Sequence, residues 1–262
     1  MSKIEVFCVL GRHGAEYASI LKTNFLKLAS GKHDLLWRCI TTGEFTTTPS
    51  GFQRVEHIRN YGQGSRTHGH GLNCALNAAR EEFTLLADVD VAVLARNWDD
   101  MLVEELVNSE KNVVTIGTVY GGDKERGYLK FPNAIFMLTK TAALKRAAPD
   151  FRPITLGHNA KRVARYRVEN PESAEIYGVP IDTILKYDTG WQVPLNFKRC
   201  GYKGLCFTWR RWEGRYIIFD YQGKPIVTHM TNSIRWGTSH KHYINWKNKI
   251  DVELERLGLA HV

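Results

Sequence analysis

No apolar run in this chain approaches the ~18 residues of a membrane-spanning helix. The first stretch, MSKIEVFCVLGRHGAEY, lacks the layout of a signal peptide. Cysteine is scarce: the five residues at 8, 39, 74, 200 and 206 are odd in number and contain no C-x-x-C pair. That argues against a disulfide framework and for reduced, mostly buried thiols in a cytoplasmic protein. Internal repeats and low-complexity tracts are absent. The glycine turns GRHG and YGQG do not make a Walker-type phosphate loop. The histidine pairs HGH (68–70) and HKH (240–242) have no companions at zinc-finger spacing and read as loop histidines.

Acidic residues are also in deficit, 27 against 36 Lys and Arg, leaving a net charge of +9. The imbalance is uneven. Residues 140–170 hold eight basic residues against two acids, and 197–262 hold twelve against five. Residues 81–110 reverse the sign, with nine acids and one Arg. An acidic centre flanked by basic segments implies a polyanionic partner on one side of the molecule; scattered solubilising lysines are the plainer explanation.

What is present suits one large domain of 262 residues: 43% hydrophobic and 11% aromatic residues supply an ample core. KIEVFCVL (3–10) and DLLWRCITT (34–42) read as strands, and AEYASILKTNFLKLA between them has helical spacing. GFQRVEHIRNYG (51–62) reads as holding a short helix and HGLNCALNAARE (70–81) as an amphipathic one. NWDDMLVEELVN follows as a helix, NVVTIGTVY (112–120) as a strand, and NAIFMLTKTAALKRAAP as a strand turning into a helix. The polar, glycine-bearing stretch over 117–130 reads as a lid, and residues 151–186 as irregular and basic. DTGWQVPLNFKRCGYKG suggests a helix capped by Gly201, KGLCFTW and PIVTHM are short strands, and the tail from Lys241 to Leu257 is helical. FTWRRWEGRY interleaves Trp209, Trp212 and Tyr216 with arginines, either to grip sugars or nucleic acid or simply as a β-hairpin. Strands alternating with helices imply an α/β fold with a mostly parallel central sheet.

FTLLADVDVAVL (83–94) is the stretch that raises a chemical question. Asp88 and Asp90 interrupt an apolar run, and buried carboxylates are costly unless paired or metal-bound. On a continuing strand they would share one face, where a divalent cation would hold both ionised. The alternative is a strand that ends near Asp88, with both acids in a solvated turn. In an open parallel sheet ligands gather at the carboxyl ends of the strands, where these residues fall. Carboxylate oxygens select Mg²⁺ or Mn²⁺, and substrate phosphates complete such a site.

Taken in order, five segments give the chain a family resemblance: EVFCVLGRHGAEYASILKTNFLKL, GHGLNCALNAAREEFTLLADVDV, FPNAIFMLTKTAAL, YDTGWQVPLNFKRCGYKG and PIVTHMTNS. It resembles the nucleotide-sugar glycosyltransferases of the GT-A fold, family 2 above all, over roughly residues 3 to 235. The resemblance implies a single GT-A-like domain over 1–262, with a nucleotide-sugar half (1–120) and an acceptor half (121–262). It implies Mn²⁺ or Mg²⁺ as cofactor and a nucleotide-diphosphate sugar, such as a UDP-sugar, as donor. Asp88 would lie by the ribose and metal, Asp90 would be the direct metal ligand and His229 the third. Asp188 would be the catalytic base, with Asp182 as fallback; the family's Glu-Asp pair here reads Tyr187-Asp188. Leu10, Gly11 and Arg12 would approach the nucleotide, with Glu44 at its base or ribose. Gly71 and Asn73 would lie on the helix closing over it, although His70-Gly71-Leu72-Asn73 departs from the usual Ala-Arg-Asn.

A compact, basic chain of this kind also resembles the phage enzymes that glycosylate hydroxymethylated pyrimidines in DNA, which makes DNA a candidate acceptor. Polysaccharide or another glycan is the alternative acceptor. A nucleotidyltransferase, or a non-catalytic nucleic-acid-binding protein explained by charge alone, are readings of other classes.

Overall fold

The computed structural model describes residues 1–61, 64–119, 131–155, 189–211, 216–230 and 239–259, with isolated positions between 161 and 187. The chain opens as the alternation implied: β1 (Lys3–Leu10), α1 (Gly14–Leu28) and β2 (Asp34–Thr42). There follow β3 (Gln53–Ile58), α2 (Gly64–Ala78), β4 (Phe83–Ala87), β5 (Val91–Val93), α3 (Trp98–Asn108) and β6 (Val113–Gly117). Next come β7 (Phe136–Lys140), α4 (Thr141–Ala147), the two-residue strands β8 (Ile154–Thr155) and β9 (Lys186–Tyr187), and α5 (Gln192–Arg199). The described chain closes with β10 (Lys203–Cys206), β11 (Thr208–Arg211), β12 (Tyr216–Tyr221), β13 (Lys224–Met230) and α6 (Lys241–Arg256).

Seven strands form the central sheet in the order β10-β6-β7-β4-β1-β2-β3. Every neighbouring pair is parallel except the two that β7 makes, with β4 and with β6. Alternation along β1 shows why the sheet is covered on both sides. Ile4, Val6, Cys8 and Leu10 enter one core with α1, α3, α6 and a second sheet, while Phe7 enters the other with α2, α4 and α5. Each fully buried side chain of this size contributes about 1.5–3 kcal/mol. The second sheet, β11-β12-β13-β5, is antiparallel throughout.

Several sequence expectations need correcting. Residues 53–58 form a strand, not a helix: the ladder with β2 gives Val55 and Ile58 a β environment that outweighs local propensity. The α2 helix runs over 64–78, so it starts six residues before the expected 70 and takes in His68 and His70, which are not loop histidines. KGLCFTW breaks at the buried Phe207 into β10 of the central sheet and β11 of the second. Of the five free cysteines only Cys8 and Cys39 are buried, the other three being partly exposed. Cys8 and Cys39 face each other across β1 and β2, and burial pushes the Cys39 thiol up to about 11. HKH caps α6, with the His240 ring accepting from the His242 N–H. FTWRRW begins a hairpin in which Trp209 lies opposite Phe219, and Arg210 pairs with Asp220. Trp212 and the lid stretch over 120–130 lie outside the described residues. No helix among the described residues is long and apolar enough to cross a membrane.

Candidate metal centre

The strand that carries Asp88 and Asp90 does not continue through them. β4 ends at Ala87, and the Asp88 N–H makes a last bond to the Ile135 carbonyl (2.9 Å) before the chain turns through Val89 and Asp90. It re-emerges as β5 in the other sheet. The expectation of two aspartates on one face of a strand is therefore corrected: they meet through a turn between two sheets. Nor are both acids solvated: Asp88 is partly exposed, but Asp90 is only 6% exposed.

The partner comes from β13. Its antiparallel register against β5 sets His229 opposite Val91, and the Met230 N–H donates to the Asp90 carbonyl (3.0 Å). His229 Nε2 consequently lies 3.3 Å from Asp90 Oδ1 and 3.7 Å from Asp88 Oδ2. One ligand atom from each residue falls within 4.8 Å of the other two. Burial alone would keep this imidazole neutral; the Asp90 carboxylate, reinforced by Asp88, outweighs it and raises the pKa. The other ring nitrogen, Nδ1, is buried with no hydrogen-bond partner among the described residues. Two carboxylates and an imidazole directed at one point are a donor set that fits Mn²⁺, which accepts nitrogen more readily than Mg²⁺ does.

The other expected residues divide into two groups. Gly11, Arg12 and Glu44 leave the carboxyl ends of β1 and β2, parallel to β4, and so share the rim with the aspartates. Arg12 and Glu44 are exposed. The Gly11 carbonyl accepts from the Gly14 N–H (2.8 Å) and closes the turn into α1. Leu10 has its side chain in the core, leaving its main chain alone to face a ligand. Gly71 and Asn73 are both on α2 and take part in its packing. A Cβ on Gly71 would sit 2.6 Å from Val9 Cγ1, so its absence lets α2 close onto β1. Asn73 brackets the next segment, donating to Asp150 Oδ1 (2.9 Å) and accepting from the Phe151 N–H (3.0 Å). Asp188 and Asp182 lie outside the described residues. Thr189, the next residue after Asp188, donates from its hydroxyl to the Ser65 carbonyl at the start of α2 (3.1 Å).

Two neighbours of the site escaped sequence reasoning. Tyr17, read there as helix core, has its pKa raised by burial and then by the Asp90 charge. His68 places Nε2 3.2 Å from Asp88 Oδ1. Its signal was the spacing of HGHG, which on a helix puts His68 one turn before the glycine pressed to β1.

No family model matches the chain, and no curated protein matches it. Its structure neighbours are glycosyltransferases of the GT-A type. A mannosyltransferase from Pyrobaculum calidifontis, in complex with GDP-Man and Mn²⁺, aligns at a TM-score of 0.40 and 17% identity over 55% of this chain and 46% of its own. Glucosyl-3-phosphoglycerate synthase from Mycobacterium tuberculosis, in complex with UDP, gives 0.37 and 17% over 54% and 58%. An active-site mutant of LgtC gives 0.45 and 10% over 78% and 72%. This chain thus spans about half the length of the first two.

Proposed function

We propose that this chain is a metal-dependent glycosyltransferase, moving a hexose or pentose from a nucleotide-diphosphate sugar, a UDP-sugar as the first candidate, to an acceptor hydroxyl. One observation carries the reading. Asp88, Asp90 and His229, from two sheets, converge at the carboxyl rim of a parallel sheet, where nucleotides are bound. A divalent cation there, Mn²⁺ before Mg²⁺, would supply charge neutralisation for the leaving nucleoside diphosphate. Around it the chain's own groups divide the work. The main chain at Leu10 and Gly11, with the Arg12 side chain, approaches the nucleotide, and Glu44 faces its base or ribose. Asp188 takes the proton from the acceptor oxygen as that oxygen attacks the anomeric carbon; Asp182 is the fallback base.

The acceptor assignment is a hydroxymethylated pyrimidine in DNA, and charge is what supports it. Beside the basic segments at 140–170 and 197–262 stand Arg59 and Arg66; burial lowers the pKa of His70 on α2, and the charges of Arg152, Arg66 and Arg59 lower it further. Phosphates are held by such groups, and the target base would have to be extruded from the duplex. A glycan acceptor is the second reading.

The test is donor turnover with Mn²⁺ and a panel of nucleotide sugars, with and without hydroxymethylated DNA or oligosaccharide. Turnover abolished by Asp90→Ala is expected, with stimulation by DNA. Background turnover with every sugar, unchanged by that substitution, would leave only a non-catalytic nucleic-acid-binding role. Stimulation by oligosaccharide but not DNA would move the acceptor to a glycan.

A further inference from the structure

We infer that His68 is a positioning residue of the metal centre, fixing the Asp88 carboxylate so that one oxygen is left for the ion. The inference rests on the reading of Asp88, Asp90 and His229 as metal ligands. Asp88 stands between two imidazoles. Its Oδ1 faces His68 Nε2 at 3.2 Å, and its Oδ2 faces His229 Nε2 at 3.7 Å. The two histidines come from unrelated places, His68 from the second turn of α2 and His229 from β13. With the Nε2–H of His68 donating to Oδ1, the carboxylate plane is set and Oδ2 is turned toward Asp90 and His229. Without that donor the side chain, 21% exposed at the end of a strand, is free to swing into solvent.

The helix is built to bring His68 there. A Cβ at Gly71 would meet Val9 at 2.6 Å, and one at Gly69 would meet the Phe151 carbonyl oxygen at 2.7 Å. The two glycines let α2 seat between β1 and the segment at 151–152 with almost no clearance. His68 precedes Gly71 by three residues and so lies on the same side of the helix, above β1 and level with the end of β4. The HGHG sequence thus supplies both the imidazole and the close approach that carries it to Asp88. Hydrogen bonds of this kind to a ligating group typically govern metal affinity by about 10- to 100-fold.

Binding of Mn²⁺ to the full chain, read as loss of the free-ion signal in electron paramagnetic resonance, tests the assignment. His68→Ala is expected to weaken Mn²⁺ binding about 10- to 100-fold, and His68→Gln, whose amide can still donate to Oδ1, to restore most of it. His68→Leu keeps the bulk without the donor and replaces the alanine variant should that chain not fold. Circular dichroism confirms the fold of each. If His68→Ala or His68→Leu binds Mn²⁺ like the wild type while Asp90→Ala loses it, the role of His68 is overturned and the metal centre stands. A glutamine variant as weak as the donor-less one also overturns the positioning role. No Mn²⁺ binding by the wild-type chain overturns the metal centre and the role together.

Discussion

Asn24 of α1 completes the outer edge of β5 by bonding both main-chain groups of Val93: its Nδ2 donates to the Val93 carbonyl (3.1 Å), and its Oδ1 accepts the Val93 N–H (2.7 Å). β5 is the end strand of the second sheet and follows directly on the Asp88–Asp90 turn. A fully buried side chain therefore stands in for a missing neighbour strand and pins the turn from behind.

Replacing Asn24 by Leu keeps the branched shape, at some cost in added bulk, and removes both partners. Each backbone group of Val93 then stays buried and unsatisfied, at about 1–3 kcal/mol apiece. Chemical denaturation should show that loss, and Mn²⁺ affinity should fall with it as β5 loosens. A variant as stable as the wild type would mean that β5 finds other partners.

Glu5 is a second buried anchor, 2% exposed. Its carboxylate accepts from the Arg80 N–H (2.6 Å), the Glu81 N–H (3.0 Å) and the Arg38 guanidinium (3.3 Å), tying β1 to the chain between α2 and β4. Glu5→Leu leaves those donors without an acceptor. Breaking a buried charge pair costs about 3–5 kcal/mol, and the partial exposure of Arg38 puts this one at the lower end. A melting curve of the variant is the measurement.

Gly71→Ala places a methyl group 2.6 Å from Val9, whose branched Cβ leaves it little freedom to turn aside. Overpacking of this kind costs about 1–3 kcal/mol. Adding Val9→Ala should recover part of the stability by removing the obstructing methyls. A double-mutant cycle with strictly additive losses would show that the two residues do not press on each other.

Acidity should loosen the bracket around Asp150. Burial alone would raise its pKa; hydrogen bonds from the Arg152 side chain, Asn73 and the Arg152 N–H outweigh that and lower it. Because the folded-state value is depressed, the stabilisation is fully present above the unfolded value of about 4 and is lost as pH falls through the folded value. Asp150→Asn should thus be destabilised at pH 7, and the difference from wild type should shrink below about pH 4. Thermal melts across that range decide it; a gap that widened in acid would reverse the sign.

Much of this was legible along the chain because the determining pattern is local. β1 and β2 were bounded correctly by their apolar runs and α1 to within a residue by its spacing, whereas the grouping of His229 with Asp88 and Asp90 was implied only by the family resemblance. β3 was missed because an exposed edge strand carries almost no apolar alternation: none of its residues is fully buried. The histidines of α2 were misplaced for a related reason, since a helix beginning GSRTHGHG has poor helical propensity and is held by packing on β1.

Hydrophobic periodicity alone determined that this would be an α/β chain with a mostly parallel sheet, and that two aspartates would stand at its carboxyl rim. Only the tertiary structure decided how those aspartates meet their partners, by ending the strand at Ala87, turning the chain into a second sheet and setting β13 against β5. His229 and His68 reach Asp88 through sheet register and helix packing. Those are long-range relations between surfaces, and no local run of residues encodes them.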